Sequence, residues 1–453
     1  MNKEQRLEYF TKLLKKSPYG SMEVFYKTRR QKLPVYEIDL DYLIYNPYNG
    51  RIASRVKSYE KLNKGESLNP EDPDDVQKIE LFLDESSKRS NADTFISLRD
   101  QGQLKYGIVT KDGYIIDGNR RAMLLRKVAN EKKEKPTYFL GVVLEEELDE
   151  NPKEIMRLET TFQMGEDAKV DYDPIEKYLK CKDLIQYYPG DKGIDEIAKM
   201  MGEKPPAIKE YLSIMERMDD YLDKLGYSGI YTRLSKTEGA FVDINGYLNR
   251  YEPGDSGMVK WHYKKADAEE LKLIYYDYIQ YMYNKKKKKD DEEDGGVFGG
   301  GDSKDYRIIG KASQKESLFC ADEKIWKEFR NNHFKEIDPI KEEFENGKFS
   351  IEQLRKDNEG MDLNVLLKRR DEAWAEMVSP VLKKNLGRAK SNLENFNNQT
   401  KPEELLEKAL RTLESVDTKA KPFLEKPEVE QLVTELNKKT YEFKQIIKDH
   451  KRG

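Results

Sequence analysis

Cysteine is almost missing from this chain: Cys181 and Cys320 are the two in 453 residues, and they stand far apart. A disulfide framework and any paired-cysteine metal spacing are thereby excluded, which fits a reducing compartment. Histidine is as scarce, with His262, His333 and His450 each isolated. None lies near a cysteine or a Gly-x-Ser-x-Gly stretch, so neither a zinc site nor a histidine-based triad is expected. No Gly-x-x-x-x-Gly-Lys-[Ser/Thr] occurs, which removes the P-loop class of nucleotide-binding proteins. No apolar run reaches the roughly 18 residues of a membrane span, and the start Met1-Asn-Lys-Glu-Gln-Arg6 lacks the apolar centre of a signal peptide. The expectation is a soluble, cytoplasmic protein without a membrane partner. Charge of one sign is lacking too. Charged residues make up 37% of the chain but balance to −4, so any DNA contact has to come from a local patch.

What the chain does have is length, tyrosine and interspersed charge. Its 453 residues suffice for two or three domains, and 29 tyrosines suit aromatic packing between amphipathic helices. The pattern predicts an α+β protein, with a small α/β unit over 35–150 and mostly helices after it. A short helix over 4–16, with Leu7, Phe10, Leu13 and Leu14 on one face, makes 1–34 a helical extension. Within the α/β unit, 57–73 reads as an inserted polar loop before a helix over 76–84. Residues 137–144 are continuous and apolar, as in a buried strand. Asn151-Pro152 opens a helix over 153–160 and, with it, a helical segment over 151–284.

The stretch Asp117-Gly118-Asn119-Arg120-Arg121 carries the clearest chemistry. Residues 106–116 read as a strand, a Lys-Asp-Gly turn and a second strand, and 122–129 are good helix formers. A glycine at a strand-to-helix junction, followed by two arginines, suits a phosphate. The helix start offers unpaired N–H groups, and guanidinium forks match phosphate oxygens. Asp117 is out of place beside a phosphate; it either orients Arg121 or holds a water or a metal ion.

Farther along, 193–202 and 205–214 have a helix-turn-helix rhythm that would set Lys204, Ala207, Lys209 and Glu210 against DNA. Residues 190–225 nevertheless hold six Lys/Arg against nine Asp/Glu, and phosphate contact dominates DNA affinity. A purely structural three-helix module is the alternative. The helix over 266–283 is apolar or aromatic on nearly every face, so it is either buried or part of an interface, and core packing is favoured over base stacking for its tyrosines. Residues 285–305 combine a run of five lysines, an acidic block and five glycines and read as a loop. Tyr306-Arg-Ile-Ile309 reads as a short strand. The remainder of 306–453 reads as helices punctuated by prolines. Val429, Leu432, Val433, Leu436, Phe443 and Ile447 form a stripe on the last helix, as in a bundle or an element binding a second copy or another protein.

Four motifs in order resemble the ParB/sulfiredoxin superfamily over about 35–225. Val35-Tyr-Glu-Ile-Asp-Leu40 with Asn46-Pro47-Tyr48-Asn49-Gly50-Arg51 is similar to its opening strand and Asn-Pro-x-x-x-Arg turn. Phe95–Lys105 is similar to the short helix that ends in a glycine, here Gly102. Gly118-Asn119-Arg120-Arg121 falls where ParB proteins carry Gly-Glu-Arg-Arg. Leu158-Glu159-Thr160 and Tyr172-Asp-Pro-Ile-Glu-Lys177 resemble the Glu-Asn motif and the segment that opens the helical domain.

The resemblance implies a nucleoside triphosphate, CTP or ATP, held by Arg51, Gly102, Gly118, Asn119, Arg120 and Arg121. It implies Mg²⁺ on Glu159 and Thr160, with Asp117 and Glu159 as the residues of a slow hydrolysis. Gly102-Gln-Leu-Lys-Tyr106 departs from the family's Gly-x-x-Gln-Pro, which leaves the base open. The phosphate loop has no cysteine, which excludes sulfur reduction. Three functions follow as expectations. The first is a ParB-like nucleotide-binding switch associated with DNA through Lys204 and Lys209. The others are a nuclease or NTPase effector of an antiviral or mobile-element system, and a DNA-binding regulator without turnover.

Overall fold

The computed structural model describes residues 2–27, 29–131, 137–166, 173–284, 306–311 and 317–452. The loop expected over 285–305 lies outside them, as does Tyr172. The fold is α+β: one five-stranded mixed sheet near the N-terminus, then helices. By contact density the chain divides into two compact units, Met1–Asn385 and Leu386–Gly453.

The strands are β1 (Gly20–Tyr26), β2 (Arg29–Asp39), β3 (Gly107–Val109), β4 (Ile115–Asp117) and β5 (Tyr138–Val143). Their spatial order is β1-β2-β5-β3-β4, antiparallel except for the parallel pair of β3 with β5. Successive strand residues face opposite sides of a sheet, and the apolar residues here use both. Ile38, Val109, Ile115 and Phe139 pack beneath α1 (Lys3–Leu13), α2 (Ala53–Leu62), α3 (Pro73–Glu85), α4 (Lys88–Gln101) and α5 (Asn119–Glu131). Val35, Ile108, Ile116 and Val142 face the other way, onto Ile155 and Leu158 of α6 (Pro152–Thr160). The sheet is thus covered on both faces, and β5, the continuous apolar run, lies at its centre.

Three expectations change. Residues 20–34 are not part of a helical extension, because β1 and the first half of β2 form a hairpin there. Its polar stretch Arg29-Arg30-Gln31-Lys32 sits at the sheet edge, where charge is tolerated and deters further pairing, and that polarity hid the strand. The segment 57–73 is not all loop, since α2 runs to Leu62 on the strength of buried Ala53, Val56 and Ser58. Tyr306–Ile309 is a helical turn instead of a strand; Tyr306 is buried, and its hydroxyl donates to Asp243 at 2.9 Å. The first helix also ends at Leu13 and leaves Leu14 exposed. It buries Arg6, whose guanidinium donates to the Asp112 carbonyl at 2.8 Å and pairs with Glu71.

After α6 and a π-helical turn over Thr161–Glu166 come α7 (Pro174–Tyr187), α8 (Gly190–Met201) and α9 (Pro205–Lys224). The next are α10 (Glu238–Tyr251), α11 (Lys265–Asn284), α12 (Leu318–Ala321), α13 (Glu323–Glu345) and α14 (Ile351–Asp357). Helix α11 buries residues all round, Leu271, Ile274, Tyr275 and Tyr278 among them, so its tyrosines are core. The last helices are α15 (Leu363–Thr400), α16 (Pro402–Glu414), α17 (Lys421–Glu425) and α18 (Pro427–His450). Among the described residues no helix is long and apolar enough to cross a membrane.

Candidate functional site

The sequence places a glycine between β4 and α5, and the backbone needs it. Gly118 has φ +108°, a conformation that costs a side-chain-bearing residue roughly 1–3 kcal/mol. A Cβ there would also lie 2.7 Å from Cζ of Phe139, a fully buried ring on β5. The missing side chain therefore serves Phe139 as well as the turn. Gly118→Ala should lower unfolding stability by roughly 2 kcal/mol or more. Denaturant titration checks this, and an unchanged midpoint would show that the junction is not strained.

Asn119, Arg120 and Arg121 then form the first turn of α5, where backbone N–H groups fall outside the helical ladder and the helix dipole favours an anion. The three side chains do different work. Asn119 is buried; its Nδ2 donates to the Ile115 carbonyl at 2.9 Å, and its Oδ1 accepts the Asn46 N–H at 2.9 Å. Arg121 is held inward by Asp117 and donates to the carbonyls of Lys105 and Tyr106. Arg120 is half-buried and reaches α4, donating to Ser90 Oγ at 3.1 Å and Thr94 Oγ1 at 3.4 Å. Asp117 thus orients Arg121, one of its two expected roles.

Two other motifs converge on this junction. The turn over 46–51 is shaped by its own asparagines, Asn46 accepting from the Tyr48 N–H and Asn49 from the Arg51 N–H, both at 3.0 Å. Asn119 anchors its start. Its end is anchored by Glu159, whose Oε1 accepts the Gly50 N–H at 2.8 Å. Gln163, one turn beyond, donates to the Ile116 carbonyl at 3.1 Å, and a Cβ on Gly50 would lie 3.6 Å from its Oε1. Residues 102–106 complete the surround. Gly102 ends α4 with φ +78°, and Gln103 ties the loop to β5 through the Leu140 N–H and carbonyl. Arg51, half-buried, follows Gly50 directly.

The Glu159–Thr160 pair does not suit Mg²⁺. Glu159 is buried, and its Oε2 forms an ion pair with Lys180 of α7 at 2.6 Å, so both oxygens are engaged and a cation is already in place. A second cation beside Lys180 would be repelled at low dielectric. Thr160 is fully buried and donates its hydroxyl to the Met156 carbonyl at 2.7 Å within α6. Among the described residues no group of three or more His, Cys, Asp and Glu side chains is arranged to hold a metal.

Compared with known proteins, the chain matches no family model and no curated protein. The site therefore has to be read from its own geometry. Asn119, Glu159 and the turn that ends in Arg51 belong to one hydrogen-bonded assembly; Gly118 and Arg121 flank Asn119 at the β4–α5 junction, and Gly102 heads a loop held by Arg121. Lys204 and Lys209 lie elsewhere, on the α8–α9 pair, whose core is Cys181, Ile197, Ala198, Met201 and Ile208. Gly202 makes the turn between those helices with φ +67°. Lys204 stands exposed just before α9, and Lys209 pairs with Asp191 at 2.9 Å on the surface.

Sequence reading missed Lys180 and the role of Glu176. The two are four residues apart on α7, the spacing of an ordinary surface pair. Here both are buried and reach different partners. The Glu176 carboxylate accepts the Ser54 N–H at 3.0 Å, closing off the start of α2 just past Arg51. Burial pushes its pKa up to about 7, against the lowering effect of the Ser54 hydrogen bonds. The unfolded chain loses this proton near 4.5. The stabilisation is therefore complete below about pH 4.5, falls as pH rises to about 7, and is flat beyond. Glu176→Gln should remove that slope, making stability at pH 8 relative to pH 4.5 more favourable by roughly 3 kcal/mol than in the wild type. Denaturant titrations of both proteins at the two pH values decide it, and equal slopes would remove Glu176 as the cause.

Proposed function

We propose that the β4–α5 junction binds the phosphates of a nucleoside triphosphate, CTP or ATP, as in the ParB/sulfiredoxin superfamily that its motifs resemble. The observation that carries this reading is the convergence of distant segments. Asn119 fastens the start of the 46–51 turn to the first turn of α5, and Glu159 fastens its end. The glycine turn and helix start that lead into Arg120 are thereby joined to the turn that ends in Arg51, and both arginines are half-buried. Phosphate needs that combination of backbone donors and guanidinium charge.

In this reading Arg120 and the N–H groups of α5 contact phosphate, while Arg121, Asp117, Asn119 and Glu159 hold the surround in shape. Mg²⁺ enters only as the counter-ion of the triphosphate. The geometry favours binding over hydrolysis, because Asp117 is committed to Arg121 and Glu159 to Lys180 and Gly50. DNA association through Lys204 and Lys209 completes the proposal as a nucleotide-responsive, DNA-associated protein. The acidic balance of 190–225 makes any such contact strongly salt-sensitive.

Calorimetric titration with the four ribonucleoside triphosphates, each with Mg²⁺ and with chelator, tests the reading. Saturable binding of at least one triphosphate, retained in chelator, is the expected result. Absence of binding for all four would overturn it.

A further inference from the structure

Helix α18 buries none of its residues, although Leu432, Val433, Leu436, Phe443, Ile446 and Ile447 share one face and are 43–65% exposed. A contiguous apolar stripe of this kind marks an interaction surface. Two properties of the sequence identify what covers it.

The first is symmetry. The stripe mirrors itself about the point between Lys439 and Thr440. Leu436 is as far before that point as Phe443 is after it, and the same holds for Val433 with Ile446 and Leu432 with Ile447. A two-fold axis there would set these six residues opposite one another in an antiparallel copy, with Val429 of the stripe facing His450, the self-complementary patch that an isologous interface requires. The second is charge. From Glu428 to Asn437 the helix has three acids and no Lys or Arg; from Lys438 to His450 it has four lysines and two acids, and Lys451 and Arg452 follow it. A parallel pair would place acid on acid and base on base. The antiparallel register sets Glu435 opposite Lys444 and Glu428 opposite Lys451, with Glu430 opposite Asp449 as its one like-charged facing pair.

We propose that α18 pairs with α18 of a second copy of this chain as an antiparallel two-helix contact centred at Lys439–Thr440. The 24-residue helix is about 36 Å long, and its two apolar clusters, 432–436 and 443–447, each have the three- and four-residue spacing of helix pairing and flank a polar centre at Lys439–Thr440. This inference does not depend on nucleotide binding.

The test uses the full chain with single substitutions Leu432→Cys and Ile447→Cys and a short bis-maleimide. The native Cys181 and Cys320 are buried, so the added thiol is the reactive one. In the proposed register Leu432 of one copy faces Ile447 of the other, whereas the two Leu432 positions stand roughly 22 Å apart. Mixing the two variants should give a cross-linked dimer, and each variant alone should give none. Sedimentation should show a dimer for the wild type and a monomer for Leu436→Glu, with unchanged helix content. A wild-type monomer at all concentrations, or a cross-linked dimer from Leu432→Cys alone, would overturn the proposal.

Discussion

Lys180→Met should be the most damaging single substitution near the candidate site, costing roughly 3–5 kcal/mol of unfolding stability. Lys180 and Glu159 are both nearly inaccessible and 2.6 Å apart. Without the ammonium, Glu159 remains as an uncompensated carboxylate in a low-dielectric interior, or takes up a proton to avoid it. Either outcome also weakens its hold on the Gly50 N–H. Replacing both members, as Glu159→Gln with Lys180→Met, removes the stranded charge and should recover most of the loss, since a buried pair contributes little beyond a well-packed neutral one. Denaturant unfolding of wild type, single and double variants forms the cycle. A Lys180→Met cost below about 1 kcal/mol would mean that water reaches Glu159 and that the pair is a surface contact.

The two arginines of α5 should separate binding from folding. Arg120→Ala should weaken triphosphate binding at least tenfold, the equivalent of a charge-assisted contact worth roughly 1.5–3 kcal/mol, with little change in the unfolding midpoint. Its hydrogen bonds within the fold include those to the Ser90 and Thr94 hydroxyls of the neighbouring helix. Arg121→Ala should do the reverse first. It releases Asp117 and the carbonyls of Lys105 and Tyr106, so the protein loses stability, and any loss of affinity follows from a loosened loop. Calorimetric affinity and unfolding midpoint measured on the same preparations distinguish the two. Equal, wild-type affinity in both variants would remove the α5 start from the site.

The junction itself was legible because its signals are local. A strand, a Lys-Asp-Gly turn, a strand and a glycine before a helix-forming run all lie within 106–129, and the backbone follows that order. The same holds for α11, whose all-round apolar character announced its burial. What escaped depends on contacts between distant residues. Nothing near Glu159 marks Lys180, 21 positions later, as its partner, and the π-helical turn that carries Gln163 toward Ile116 has no composition signature. Glu159-Thr160 read as a ligand pair because both side chains offer oxygen. Their helix turns one toward Gly50 and Lys180 and the other back onto its own carbonyl. The β1–β2 hairpin escaped for the opposite reason, since the first half of β2 is polar where pattern reading expects apolar alternation.

In the proposed function the 46–51 turn and the start of α5 act as one phosphate-binding unit. Hydrogen–deuterium exchange of the full chain, with and without saturating nucleoside triphosphate, tests it most directly. Peptides covering 46–54 and 117–124 should slow together on adding the triphosphate, and Arg120→Ala should abolish both effects. No slowing in either peptide, or protection confined to other parts of the chain, would contradict the account.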